Sequence, residues 1–307
     1  MPKYDLICIG EIAFDAIGAI KEEGDACSLL SHVSKSFGGR GANVVAHLGA
    51  FGLDVLLVAP VGKDFKEIGG EEYMKRKNLS SSGLIASKVR DTPMAFVFTK
   101  VGDAITYFYD GPLHTEFDAY RAHALSVVKK FPADVLFCTS STPELNKVLL
   151  GLAMGHLRVF APAHELEHYT SAQLKGCLSN TDIFFLNEIE AAALERELGV
   201  KISEVGMKFG IGLVVNTLGE KGSTLYFDGK EVSISACKPK AVIDTTGAGD
   251  SYAAAFVAAY LKKKDYVYSA KIASSMASYM IEVHGAQSEI PTPKMVLERA
   301  EQNYKTL

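Results

Sequence analysis

Little in this sequence points to an oxidising, membrane or nucleic-acid setting. Five cysteines occur in 307 residues, at 8, 27, 138, 177 and 237. The number is odd and no pair has Cys-x-x-Cys spacing, which argues against a disulfide framework. Cys8 and Cys138 stand in apolar runs that read as buried strands, where cysteine behaves as a small core residue. No apolar run approaches the roughly 20 residues of a membrane span. The opening Met1-Pro2-Lys3-Tyr4-Asp5 lacks the apolar stretch of a secretory signal. Basic surplus is also missing, with 32 Lys and Arg against 36 Asp and Glu and a net charge of -4. The one basic run, Lys262–Lys264, follows an apolar segment and reads as a solvated helix end, where cations complement the dipole. No basic face for nucleic acid is visible. Internal repeats and low-complexity tracts are absent, and so is Gly-x-x-x-x-Gly-Lys-Ser/Thr, so a phosphate site here is not of the Walker type. The expectation is a cytoplasmic protein that meets small molecules, not nucleic acid or membrane.

What is present is a large apolar fraction, 48%, enough for one large α/β domain with an elaboration. Short apolar runs alternate with helical patterns: strands at Leu6–Ile9, Val55–Val61, Asp134–Cys138, Leu157–Ala161, Asp182–Leu186 and Leu213–Thr217, with helical spacing between them. This rhythm predicts a mainly parallel sheet covered by helices on both faces. Two stretches break it. Ile12–Phe37 holds strand-like pieces, and Thr92–Asp110 alternates as a hairpin about Val101-Gly102-Asp103. The expected division is a core of residues 1–11, 38–90 and 112–307, with insertions 12–37 and 91–111 forming a small β-sheet lid. Further on, Asp228-Gly229 marks a hairpin, and helices start near Gly249, Asp265 and Pro293.

The chemistry concentrates in Asp244-Thr245-Thr246-Gly247-Ala248-Gly249-Asp250-Ser251, between a predicted strand (Lys240–Ile243) and a small-residue helix. Small residues at Gly247, Ala248 and Gly249 allow a sharp turn whose N–H groups converge at a helix N-terminus, a site for an anion such as phosphate. Asp250 in the first turn is placed to take a proton from a hydroxyl attacking phosphorus. Asp244 is a further candidate for the same cavity. Gly38-Gly39-Arg40-Gly41-Ala42-Asn43 opens another helix, with Asn43 a candidate cap. Asn187-Glu190 carries the spacing of an N-terminal cap. His164-Glu165-Leu166-Glu167-His168 fits the His-Glu-x-x-His pattern of zinc proteases. Leu166 is the motif's sole apolar residue and no third ligand is evident, so a protease is a remote alternative.

The octet resembles the second signature of the ribokinase-like (PfkB) family of carbohydrate and nucleoside kinases, and residues 38–64 resemble the first. The resemblance spans nearly the whole chain. It implies a three-layer α/β/α fold with a β-sheet lid. It makes Asp250 the catalytic base and Gly247–Gly249 the anion hole. It places Asp15, Gly39 and Asn43 on substrate hydroxyls, with Arg40 on substrate or phosphate. Asn187 and Glu190 would help place Mg²⁺, largely through water, with Asn187 also on the nucleotide side. Thr217, Gly219, Gly222 and Thr246 would line the nucleotide, ATP being the co-substrate. His284-Gly285-Ala286-Gln287 would border adenine and, in many members, a monovalent cation. One departure is Ala161-Pro162, where many members have Asp-Pro. Within the family the sequence looks most like archaeal-type nucleoside kinases, and the aromatics of 92–111 are candidates to stack on a nucleobase. The alternative is a sugar kinase of the ribokinase, fructokinase or ketodeoxygluconate-kinase kind. A monomer or homodimer is expected.

Overall fold

The computed structural model describes residues 3–22, 28–100, 103–153 and 155–307. Its strands are β1 (Tyr4–Ile9), β2 (Ala13–Glu22), β3 (Leu29–Gly38), β4 (Val55–Val61), β5 (Leu84–Ala86), β6 (Met94–Lys100) and β7 (Asp103–Tyr109). They continue as β8 (Ala133–Cys138), β9 (Leu157–Phe160), β10 (Ile183–Asn187), β11 (Leu213–Thr217), β12 (Ser223–Phe227) and β13 (Lys230–Ile234). The helices are α1 (Arg40–Ala50), α2 (Gly70–Arg76), α3 (Phe117–Lys130), α4 (Pro143–Leu152) and α5 (Ser171–Leu178). After them come α6 (Glu188–Leu198), α7 (Ile202–Phe209), α8 (Ala248–Lys263), α9 (Tyr266–Met280) and α10 (Pro293–Asn303).

One sheet runs β13-β12-β11-β10-β9-β8-β1-β4-β5. Its pairs are parallel from β5 through β11, and the β12–β13 hairpin closes that edge antiparallel. Strands buried on both faces explain the unbroken apolar runs. Leu6 and Cys8 of β1 join a core with α1, α8 and α9, and Ile7 and Ile9 join a second core with α3, α4 and α5. This is the three-layer α/β/α arrangement. β1 lies between β8 and β4, so the chain leaves it toward both sides, and the crevice at such a reversal, beyond the carboxyl ends, is where α/β proteins bind ligands.

The second sheet, β3-β2-β6-β7, is built from the two rhythm-breaking stretches. The turn expected at 101–103 lies partly outside the described residues, as does Cys27. The described cysteines, Cys8, Cys138, Cys177 and Cys237, are all buried and free. Among the described residues no helix is long and apolar enough to cross a membrane.

One expected strand is not formed. Residues 240–243 are not a strand: Ile243 N–H donates to Ile281 O at 2.7 Å, and Val242 and Ile243 stay exposed. Their apolar side chains mimic a buried strand, yet the segment bonds to the loop after α9 and not to a sheet. The short helices α2, α5 and α7 and three-residue β5 are too brief to show a period.

Candidate active site

The glycines of 38–41 let α1 press against the turn after β1. Gly39, the residue before the helix, has φ 88, and a Cβ there would lie 2.8 Å from Ala13 N. A Cβ on Gly41 would lie 2.8 Å from Glu11 N. The helix therefore starts with no side-chain cap of its own. Glu11 substitutes for it, accepting the Arg40 N–H on its carboxylate and the Ala42 N–H on its carbonyl at 3.0 Å. Burial, with Glu165 nearby, pushes the Glu11 carboxyl up to about 7. Glu11 carries no motif signal, because a buried charge is recognisable only once its neighbours are placed.

Asn43 does not cap α1, contrary to the sequence expectation. It lies inside the helix, on the face toward α8, because Gly39 sets the start four residues earlier. Its Nδ2 donates to Asp250 Oδ2 at 2.8 Å, and its Oδ1 accepts Gln287 Nε2 at 2.8 Å. Arg40 Nη1 stands 3.7 Å from Asp250 Oδ1, and its Nη2 lies 3.0 Å from His164 Nδ1. Asp250 is thus held between two residues of the first signature.

Asp250 occupies the first turn of α8, behind Gly247 at φ 76. Burial raises its pKa above the ordinary carboxylate value, while Arg40, the Asn43 amide and His164 pull it down. The Gly249 and Asp250 amides fall where a helix supplies no internal acceptor. A Cβ on Gly249 would meet nothing within 4 Å, so open space lies before this helix start. Gly247 instead packs tightly, its missing Cβ only 2.3 Å from Ala286 Cβ. Gly247→Ala should therefore push residues 246–250 off the 284–287 loop. We expect at least tenfold loss of turnover and about 1–3 kcal/mol of stability, read by kinetics beside a thermal melt.

Asp244 pins this loop and is not a second cavity acid. Its Oδ1 accepts Thr246 N–H at 2.9 Å and its Oδ2 accepts Gly285 N–H at 2.8 Å. Thr246 itself is exposed. Asp15 on β2 is largely enclosed, and burial pushes its pKa up to about 7. A Cβ on Gly38 would sit 2.1 Å from Asp15 Oδ2, so any side chain there would displace this carboxylate.

Asn187 ends β10 and caps α6, accepting Glu190 N–H at 2.9 Å. Glu190 returns the contact, its two oxygens accepting Asn187 N–H at 3.0 Å and Nδ2 at 2.8 Å. Burial raises the Glu190 pKa, while the Asn187 N–H, Arg40 and His164 pull it down and Asp250 adds to the rise. Thr217 is the register partner of Asn187 on β11. Gly219 (φ 55) is open to solvent space, whereas a Cβ on Gly222 (φ 99) would meet Ile234 O at 2.0 Å. Gly222 therefore closes the 217–222 loop onto β13.

The zinc-protease pattern does not survive folding. Ala163–His168 is a 3-10 turn beginning at Ala163 with φ 57. With three residues per turn, positions four apart point about 120° away from each other. Among the described residues no group of three His, Cys, Asp or Glu is placed to hold a metal ion. His164 serves Arg40 and Glu165 instead. His168→Ala should leave turnover within about twofold and bound metal unchanged, since a surface side chain away from such contacts has little effect.

A mainly parallel α/β sheet with a small sheet beside it, and a largely enclosed carboxylate at a glycine-turn helix start, is the layout of a small-molecule kinase. A profile described as pfkB family carbohydrate kinase matches residues 3–293, and the chain belongs to that family. It is 30% identical to a nucleoside kinase of Methanocaldococcus jannaschii, covering 97% of each chain. It is 33% identical to a nucleoside kinase of Methanothermobacter thermautotrophicus, covering 96% of this chain and 95% of that one. The crystal structure of the M. jannaschii nucleoside kinase superposes with a TM-score of 0.88 over 98% of this chain and 100% of that one. A Burkholderia thailandensis nucleoside kinase in complex with inosine shares the fold at 19% identity, with a TM-score of 0.84 over 98% of each chain.

Proposed function

We propose that this protein transfers the γ-phosphoryl group of ATP to the primary 5′-hydroxyl of a nucleoside, with Asp250 as general base. The observation that carries the acceptor class is the pairing of 30% and 33% identity to two nucleoside kinases with coverage of at least 95% of every chain compared. The site supports the chemistry. The ribose diol donates to Asp15, a carboxylate able to accept two hydroxyls at once, with Gly39 and Asn43 beside it. The 5′-hydroxyl gives its proton to Asp250 as its oxygen bonds the γ-phosphorus and the bond to the bridging oxygen breaks, releasing ADP. The turn Gly247–Gly249 offers amides to the moving phosphoryl, and Arg40 offers positive charge. Thr217, Gly219, Gly222 and Thr246 border the nucleotide in this reading.

Asn187 and Glu190 suit Mg²⁺ held mostly by phosphate and water. Both Glu190 oxygens already accept N–H groups, which favours contact through water over direct ligation. Bound Mg²⁺ supplies neutralising charge for the phosphates.

Strand register narrows which lid aromatic meets the base. Asp15 pairs with Ala95, which pairs with Phe108, so these three share one face of the small sheet. Phe96 with Tyr107, and Met94 with Tyr109, pair on the opposite face, together with Phe98. Most of the aromatics expected to stack on a base therefore point away from Asp15, and Phe98 packs edge-on to Tyr107. Phe108, 46% exposed, is the aromatic on the Asp15 side. Phe108→Ala should raise KM for a nucleoside about 10-fold, in line with base–aromatic stacking of ~1–3 kcal/mol, and leave KM for ribose unchanged. Tyr107→Ala should change neither.

The direct test is Mg²⁺-dependent ATP consumption across nucleosides, ribose, fructose, fructose 6-phosphate and 2-keto-3-deoxygluconate. Turnover of inosine, guanosine, adenosine or cytidine above the sugars supports the reading. Turnover of a sugar alone makes this a sugar kinase.

A further inference from the structure

We propose that Gln287 is a positioning residue for the base: with Tyr73 it orients the Asn43 amide, which in turn fixes one oxygen of Asp250 and leaves the other to receive the substrate proton. The inference rests on Asp250 being the base. Gln287 lies in the loop between α9 and α10 and is 7% exposed. Its Oε1 accepts the Tyr73 hydroxyl at 2.9 Å, and its Nε2 donates to Asn43 Oδ1 at 2.8 Å. Asn43 Nδ2 then donates to Asp250 Oδ2 at 2.8 Å. The Gln287 backbone carbonyl accepts Lys77 Nζ at 2.9 Å, which ties the loop to the end of α2.

Such a chain has a direction. Ionised Asp250 can only accept, so it turns the Asn43 NH₂ toward itself and the Asn43 oxygen toward the Gln287 NH₂. The Gln287 oxygen is then left facing Tyr73, whose hydroxyl, pushed up to about 12 by burial, keeps its proton and donates to it. Asn43 Nδ2–H is the last donor of the chain, toward Asp250. The last N–H needs an acceptor, which an ionised carboxylate supplies. With Oδ2 engaged in this way, Oδ1 remains on the Arg40 side, 3.7 Å from its Nη1. An isolated amide pair would have no such preference, since either end can face either neighbour.

The same loop also grips the anion turn. Gly285 N–H bonds Asp244 at 2.8 Å, and Ala286 packs on Gly247. One segment therefore sets the base and the phosphate-facing amides relative to each other. The charged or titratable groups facing Asp250 are Arg40 from α1, His164 from the 163–168 turn, Glu190 from α6 and Cys8 from β1. Arg40 and His164 favour its ionised form, as the Asn43 N–H does.

The test compares kcat, KM and the pH profile of Gln287→Glu, Tyr73→Phe and Asp250→Asn, with thermal melts as a check on folding. Gln287→Glu keeps the size, but an ionised carboxylate cannot donate to Asn43. It should lower kcat about 10- to 100-fold, the scale of a misplaced catalytic group. The acid limb of its profile should move to higher pH, with KM for ATP little changed. If that variant does not fold, Tyr73→Phe carries the test. It removes one oxygen, keeps the ring, and should lower kcat by about threefold or more with the same direction of shift. A folded Gln287→Glu or Tyr73→Phe with unchanged kcat and acid limb, beside an inactive Asp250→Asn, overturns the positioning role and leaves the base in place. Normal turnover by Asp250→Asn removes the base itself, and the role of Gln287 with it.

Discussion

Asp250→Asn should lower kcat by at least about 1,000-fold, the upper range for removal of a general base, while ATP still binds. The substitution preserves shape, and the new side-chain oxygen can still accept the Asn43 N–H, so the fold and nucleotide site should persist. What is lost is the ability to take a proton. The pH dependence of the unmodified enzyme gives the complementary result. Turnover needs ionised Asp250, and burial holds its pKa above the ordinary value of 3.8. Turnover should therefore fall on acidification at a pH above the usual aspartate range. Arg40→Met removes a cation that favours ionisation and should move this limb further up. Nucleotide titration beside steady-state kinetics checks both. Near-normal turnover by Asp250→Asn would refute the role.

Asp15→Asn should separate stability from binding. Burial pushes the Asp15 carboxyl up to about 7 from 3.8. A raised folded-state pKa means the folded protein holds its proton more tightly than the unfolded chain does. The resulting stability is complete below pH 3.8 and is lost as pH rises through about 7. At pH 8 the ionised carboxylate is thus a burden. Neutral Asn should stabilise the protein there by ~1–4 kcal/mol, toward the low end where water reaches the carboxylate. Near pH 4 the gain should vanish. The same change removes the acceptor for a diol and should raise KM for the nucleoside about 100-fold, since hydrogen bonds to a charged group contribute ~1.5–3 kcal/mol each. In the unmodified protein the diol favours the ionised form, so nucleoside binding near pH 7 should release a proton, measurable by calorimetry in buffers of different ionisation heat. A variant no more stable than the parent at pH 8 would show that Asp15 is ionised at little cost.

Much of the fold was legible because its determinants are local. The buried runs Leu6–Ile9, Val55–Val61 and Leu213–Thr217 became parallel strands, since strands covered on both faces leave no polar position to interrupt the run. The rhythm breaks at 12–37 and 92–110 became the second sheet. The octet around Asp250 was readable because a sharp turn at a helix start needs small residues in order. The segment 240–243 misled because apolar residues on a surface and apolar residues in a sheet share one composition. The His164/His168 pattern, a remote alternative on sequence, fails because a spacing of four means one face only in an α-helix, and this turn is 3-10.

The sequence by itself determined the layer type, the helix start at Gly247–Asp250 and the resemblance to a kinase family. These depend on residues near one another in the chain, where backbone geometry and periodicity act directly. Only the tertiary structure decided what those residues touch. Asn43 and Asp250 are 207 positions apart and Asn43 and Gln287 are 244 apart, yet they meet because α1 packs on α8 beneath the 281–288 loop. Register, not composition, chose Phe108 over its aromatic neighbours for the Asp15 face. Hydrogen-bond direction and the desolvation that shifts a carboxylate both arise from neighbours brought in by packing, which spacing along the chain does not encode.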